Sequence, residues 1–174
     1  MLGDSPVDTT SEIAGLPAET ALDARGRRLF EYWREKRGAR KMPCRADLAP
    51  ADFPDLLPDI ALIDVLGEAP YLRYRLVGTR QVAARGLDPT GKPVTDGHLG
   101  RDIPGMREQV LANYRRVIDS GRPLFRDTSI AGHDNRGDIL LGGRLIARFS
   151  LFLPLASDGQ TVDMILVYSR FEDG

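Results

Sequence analysis

The side chains most able to do chemistry are few. Cys44 is the single cysteine, and His98 and His133 are the two histidines. One thiol closes no internal disulfide and builds no Cys-rich zinc site. Two imidazoles without spaced carboxylates make no His-based metal site either. Cys44, next to Pro43, reads as an ordinary loop thiol, and His133, within Gly-His-Asp-Asn-Arg-Gly, as an exposed turn residue. Acyl transfer of the hydrolase type would need Gly-x-Ser-x-Gly, which the chain lacks. Gly86 and Gly91-Lys92 have the spacing of a phosphate loop. Pro93, however, stands where that loop needs Ser or Thr, and no strand runs directly into it. What remains is a set of aromatic side chains, Tyr74, Tyr114, Phe149 and Tyr168. Their rings can line an apolar space while the phenols offer hydrogen bonds to a small ligand; ordinary core filling is the other use of such residues. They act together only if the fold points them at one place.

The elements that must do so fit in 174 residues, enough for one domain with an appendage and too few for two. With 42% hydrophobic and 28% charged residues the chain reads as globular. A net charge of −1 speaks against a dedicated nucleic-acid binder. No apolar run reaches membrane-spanning length and the N-terminus lacks a basic-then-apolar signal, so a cytoplasmic protein without a transmembrane segment is expected.

Residues 1–18, rich in Ser, Thr, Asp, Gly and Pro, are expected to form a mobile tail, because they bury too little surface to offset ordering entropy. Over 19–41 the pattern is helical. Leu22, Leu29, Phe30 and Trp33 make one stripe, Gly26 is a weak point and Gly38 a stop. Residues 42–58 hold four prolines and read as a connector. The domain proper is expected over 59–174. It opens with a buried strand at 60–65 and a second at 71–77, whose Leu72, Tyr74 and Leu76 oppose Arg73 and Arg75. Thr79 should cap a short helix that Gly86 stops, and Met106, Val110, Tyr114 and Val117 mark the longest stripe of a second helix. Strands over 124–130, 144–155 and 161–171 follow.

The last strand is apolar on both sides and so needs cover on both. The expectation sets Tyr168, with Met164, Leu166 and Phe149, against the helices of 79–120, and Ile165 and Val167 on the opposite face. The cover available there is the Trp33 stripe. Hence the class is α+β: a five-stranded antiparallel sheet with helices on one face and an N-terminal helix flanking the other. The same stripe can also meet its copy from a second chain. A homodimer is therefore expected with Leu22, Leu29, Phe30, Trp33, Ile165 and Val167 in or beside the interface. Residues 25–45 carry nine Lys or Arg and two Glu, a segment at +7 that suits either a solvated face or an acidic partner surface. Arg148 and Arg170, on strands, are either surface residues or anchors for an anionic ligand.

Several stretches carry a resemblance. They are Leu56-Leu57-Pro58, the run from Tyr71 through Tyr74-Arg75-Leu76-Val77-Gly78-Thr79, Gly86-Leu87-Asp88-Pro89-Thr90-Gly91, Tyr114 to Pro123, and Leu153-Pro154-Leu155-Ala156-Ser157-Asp158-Gly159. In this order, and over roughly residues 29–171, the chain resembles the PAS sensory fold, in particular a proteobacterial family of small single-domain PAS proteins. The resemblance implies an antiparallel sheet, a cavity between sheet and helices, and signalling through partner contacts, without naming a ligand. A flavin-binding PAS domain would carry its reactive Cys after the first two strands, whereas Cys44 precedes them. A haem-binding one would carry an axial His on the long helix, and residues 106–119 contain none. No cofactor and no metal is therefore expected, and the purified protein should be colourless; a stoichiometric Soret or flavin band would overturn this. At 174 residues there is no room for an attached kinase, cyclase or DNA-binding segment, so output is expected through another signalling protein. Two alternatives stay open: a small cavity-bearing isomerase or lyase, and a purely structural dimerisation module.

Overall fold

The computed structural model describes residues 10–12, 22–69, 71–102, 104–127 and 149–171. His133 and Arg148 lie outside the described residues, as do parts of the expected tail and of the strands over 124–130 and 144–155.

The first helix, α1 (Ala24–Arg37), is set by its ends. Asp23 is the N-cap, its carboxylate accepting from the Gly26 N–H at 2.7 Å, and Gly38 at φ 57° closes the other end. Three short 3-10 turns, Arg45–Asp47, Pro50–Asp52 and Pro54–Asp59, follow where the prolines bar an α-helix. They are more than a connector. Met42, Leu48, Phe53 and Leu56 are buried in one core with α1 and the sheet, and Tyr32 of α1 donates to Asp52 and accepts from the Ala49 N–H.

The sheet takes β2 (Ile60–Val65), β3 (Leu72–Val77), β4 (Leu124–Asp127), β5 (Phe149–Leu155) and β6 (Met164–Arg170), all antiparallel. The expected α+β architecture is present. A sixth strand, β1 (Thr10–Glu12), falls in the stretch expected to be a mobile tail; it pairs with β4 and so caps an edge that would otherwise leave its backbone groups open. The order is β1-β4-β5-β6-β2-β3, which makes β6 central. The clean alternation expected along β3 fails after Tyr74. Tyr74 faces Ile63 while Leu76 faces Leu62, so Arg75 is an extra residue, a bulge, and Leu76 turns out to solvent at 46% exposure.

Between β3 and β4 run α2 (Thr79–Arg85), α3 (Val94–Gly97) and α4 (Met106–Ser120). The N-cap of α2 is Gly78 rather than Thr79, for a steric reason. A Cβ on Gly78 would lie 2.5 Å from the Pro58 carbonyl oxygen and closer still to that of Leu57. Only glycine lets this turn lie against the 3-10 segment while its N–H donates to the Ile60 carbonyl at 2.7 Å. Gly121 at φ 62° ends α4 where expected.

One expectation about faces is overturned. Tyr168 donates to the Asp23 carboxylate, 3.1 Å away, and its ring lies over Gly26, so Tyr168 faces α1. Phe149 goes with it, its ring 6.0 Å from that of Tyr168. Val167 points the other way, toward α4, and Ile165 shares its parity. The grouping into alternate sets is as expected, but the covers are exchanged. Gly26 is thereby explained: the missing side chain that weakens the helix is what admits the Tyr168 ring.

Candidate functional site

The space between the sheet and α2–α4 holds a cavity of about 120 Å³. Its apolar wall is made by Leu99, Met106, Val110, Phe152 and Val167. Its polar groups are Tyr74 from β3, Arg85 from α2, His98 after α3, Tyr114 with Gln109 and Asn113 from α4, Arg126 from β4, and Ser150 and Ser169 from β5 and β6. Of the four aromatic residues singled out by sequence, Tyr74 and Tyr114 come together here. Phe149 and Tyr168 do not, being under α1 on the far side of the sheet.

Local chain geometry places each group. Tyr74 is 1% exposed, held from below by Gly97, where a Cβ would approach its ring to 2.9 Å. Tyr114 lies on the buried stripe of α4 and meets Phe152 edge-on, ring centroids 5.4 Å apart. Phe152 escaped sequence reasoning because β5 is apolar at consecutive positions, from Leu151 to Leu155, and alternation cannot choose between its faces. His98 escaped because it sits in a glycine-flanked loop with no period. It is 2% exposed, its Nδ1 paired with the Leu99 carbonyl at 2.9 Å.

Arg85 is the least expected member. As the last residue of a short helix it reads as a solvated end, yet it is 6% exposed and its guanidinium stands over the Tyr74 ring, 5.4 Å from the centroid. It is fixed by Gln81, which is fully buried and donates to the Asp59 carbonyl at 2.7 Å. At the rim, Arg126 donates to Asn113 and Gln109. Arg170, expected as a possible anion anchor, is on the α1 side, 3.9 Å from Asp23.

Burial pushes the Tyr114 phenol well above its ordinary 10.0, and Tyr74 beside it adds to the rise. Burial raises Tyr74 as well, against the opposing pull of Arg85, and raises Tyr168, helped by the Asp23 carboxylate. At neutral pH the cavity therefore presents protonated phenols, which can donate. The unfolded chain ionises these phenols near pH 10.0 while the folded chain resists, so their contribution to stability is complete below that pH and is lost as pH rises beyond it. Urea midpoints should accordingly fall above about pH 10. The phenolate absorbance of Tyr74, Tyr114 and Tyr168 should rise only as the fold opens; ionisation of these three near pH 10.0 with the fold intact would contradict the burial.

Among the described residues no cluster of three His, Cys, Asp or Glu side chains is placed to hold a metal. Cys44 is half-buried in the turn before Arg45–Asp47, where its N–H donates to Asp47 at 2.8 Å. No helix among them is long and apolar enough to cross a membrane.

The opposite face of the sheet is closed by α1. Leu29 and Trp33 are buried, and the Trp33 Nε1 donates to the Pro154 carbonyl at 2.9 Å. Thus one strand, β6, serves both faces: Val167 and Ser169 line the cavity and Tyr168 between them is bonded to the N-cap of α1.

Comparison with curated proteins and with solved structures gives no match. The family model described as PAS domain matches residues 23–167, from the cap of α1 to the cavity-lining part of β6. With the match covering most of the chain and the sheet, helices and cavity arranged as that fold requires, the chain belongs to the PAS domain family.

Proposed function

We propose that this chain is a non-enzymatic sensory and interaction module of the cytoplasm, which takes a small molecule in the cavity and reports its presence through α1 to another signalling protein. The observation that carries this reading is the double use of β6. An occupant pressing on Val167 and Ser169 acts on a strand whose intervening side chain, Tyr168, holds the cap of α1. The outer face of α1 is charged and mixed, with Arg27, Arg28 and Arg34 exposed beside Glu31 and Glu35, Arg28 paired with Asp55 and Arg34 with Glu31, which suits a polar partner surface.

The homodimer belongs to the same proposal. Leu29 and Trp33 are already covered within the chain, so this region offers a second copy the half-buried Phe30 and Tyr32 of α1, the half-buried Leu22 just before the helix, and a charged outer face. Ile165 and Val167 lie on the cavity side, away from such an interface. Sedimentation at high concentration tests it: a two-chain species supports a dimer beside α1, and a monomer removes it.

Native mass spectrometry of protein purified from its own host tests the ligand. A bound small molecule at one per chain, absent from Val110→Phe, is expected. A chain that always flies bare would overturn occupancy of the cavity.

His98 favours a second reading, a cavity-bearing isomerase or lyase with this imidazole as its base, because the fold brings an imidazole to the cavity wall beside the two phenols. Slow exchange of a bound ligand's carbon-bound protons with deuterated solvent, lost in His98→Gln, would support that enzyme; no exchange would remove it.

A further inference from the structure

Arg85 has more donors than the protein uses. Its Nε donates to the Gly97 carbonyl, and Nη1 donates to both the backbone and side-chain oxygens of Gln81, each at 2.9 Å. The Tyr74 phenol oxygen also accepts from this guanidinium, but Nη2 donates to no carbonyl or carboxylate among the described residues, and none of their acids pairs with this cation. Burying a cation without a counter-ion is costly, and a fold retains one where something else supplies the charge. The cavity wall tells what that is. It includes Arg85 and, among the described residues, no Asp or Glu, so no described carboxylate on the wall neutralises that guanidinium.

We infer that the cavity takes a small organic carboxylate, its anionic end on Arg85 Nη2 and its apolar body against Leu99, Val110, Phe152 and Val167. The inference rests on the reading of the cavity as a ligand site and adds the ligand's chemistry. The fork is pre-organised, since Gln81 is itself anchored on the Asp59 carbonyl, so binding orders little that is not already ordered. A carboxylate is a planar acceptor that matches a guanidinium arm. The phenols of Tyr74 and Tyr114 on the same wall can donate to it. The volume of about 120 Å³ is a little below the roughly 150 Å³ of an apolar cavity that admits benzene, so the body is one ring or a short chain. An inorganic anion such as phosphate would leave the apolar wall unfilled.

The test is calorimetric titration of the whole chain with butyrate, hexanoate and benzoate, each paired with the neutral alcohol of the same skeleton: butanol, hexanol and benzyl alcohol. At least one acid should bind about tenfold or more tightly than its alcohol, the difference expected for a charge-assisted hydrogen bond. Arg85→Gln should bring that acid down to the level of its alcohol, and Val110→Phe should abolish both by filling the cavity. If Arg85→Gln proves too unstable to titrate, Arg85→Lys, which keeps the charge but has no second donor arm, should lose most of the preference. Equal binding of acid and alcohol, or a preference unchanged in the Arg85 variants, overturns the carboxylate and leaves the cavity a ligand site. Failure of every acid and every alcohol to bind overturns both readings together.

Discussion

Trp33→Ala should destabilise the protein by about 3–5 kcal/mol, among the largest losses a single truncation produces. The indole is 2% exposed, and its Nε1 bond to the Pro154 carbonyl is lost with it. It stands on the strand β5, whose Leu151, Leu153 and Leu155 are fully buried. Because α1 is the cover for that face, the void cannot close without moving the helix. For a chain of this length the thermal midpoint should drop by roughly 6–20 °C. A midpoint within a degree of wild type would mean that α1 does not seat on the sheet in solution, and would take the route from cavity to helix with it.

Gly78→Ala should be nearly as damaging although it adds one methyl group. The new Cβ would collide with the carbonyl oxygens of Leu57 and Pro58, which are backbone and cannot turn aside as a side chain would. Overpacking typically costs about 1–3 kcal/mol, and backbone contact places this substitution at or above the upper end. The displaced element is α2, which carries Gln81 and Arg85, so the variant should also lose ligand in proportion to the shift of that helix. Gly67→Ala is the control: nothing lies within 4 Å of its Cβ, and its φ is not in the left-handed region. Circular dichroism melts of the two should differ plainly; equal melts would place the β3–α2 turn elsewhere.

How far the sequence discloses this protein depends on what each pattern physically encodes. Period and punctuation disclose the elements: the stripe of Met106, Val110, Tyr114 and Val117 gives α4, and Gly38, Gly86 and Gly121 mark three helix ends. Alternation discloses which residues share a face, and it grouped Tyr168 with Leu166 and Val167 with Ile165 correctly. It does not disclose which cover each face receives when both are buried. That decision is made by contacts far apart in sequence, the Asp23 carboxylate with the Tyr168 hydroxyl and the bare Gly26 beneath its ring. The same limit hid half of the cavity. Tyr74 and Tyr114 were legible as aromatic residues on periodic elements, whereas Arg85 and His98 are polar groups buried by tertiary structure, one at a helix end and one in a loop. Their signal was weak but present: each is next to, or one residue from, a glycine that lets the chain turn inward, Gly86 and Gly97.

Communication between cavity and α1 through β6 is tested most directly by amide hydrogen exchange over residues 24–37. The comparison is wild type against Val167→Leu, which pushes an added methylene from β6 into the cavity, and against Val167→Leu combined with Tyr168→Phe, which cuts the bond to Asp23. Val167→Leu should change the exchange of the first turns of α1 by about 5-fold or more, as a coupling of ordinary size requires. In the double variant α1 should exchange as in Tyr168→Phe alone. Identical α1 exchange in wild type and Val167→Leu would contradict the coupling, leaving the cavity and the helix as two independent features of one sheet.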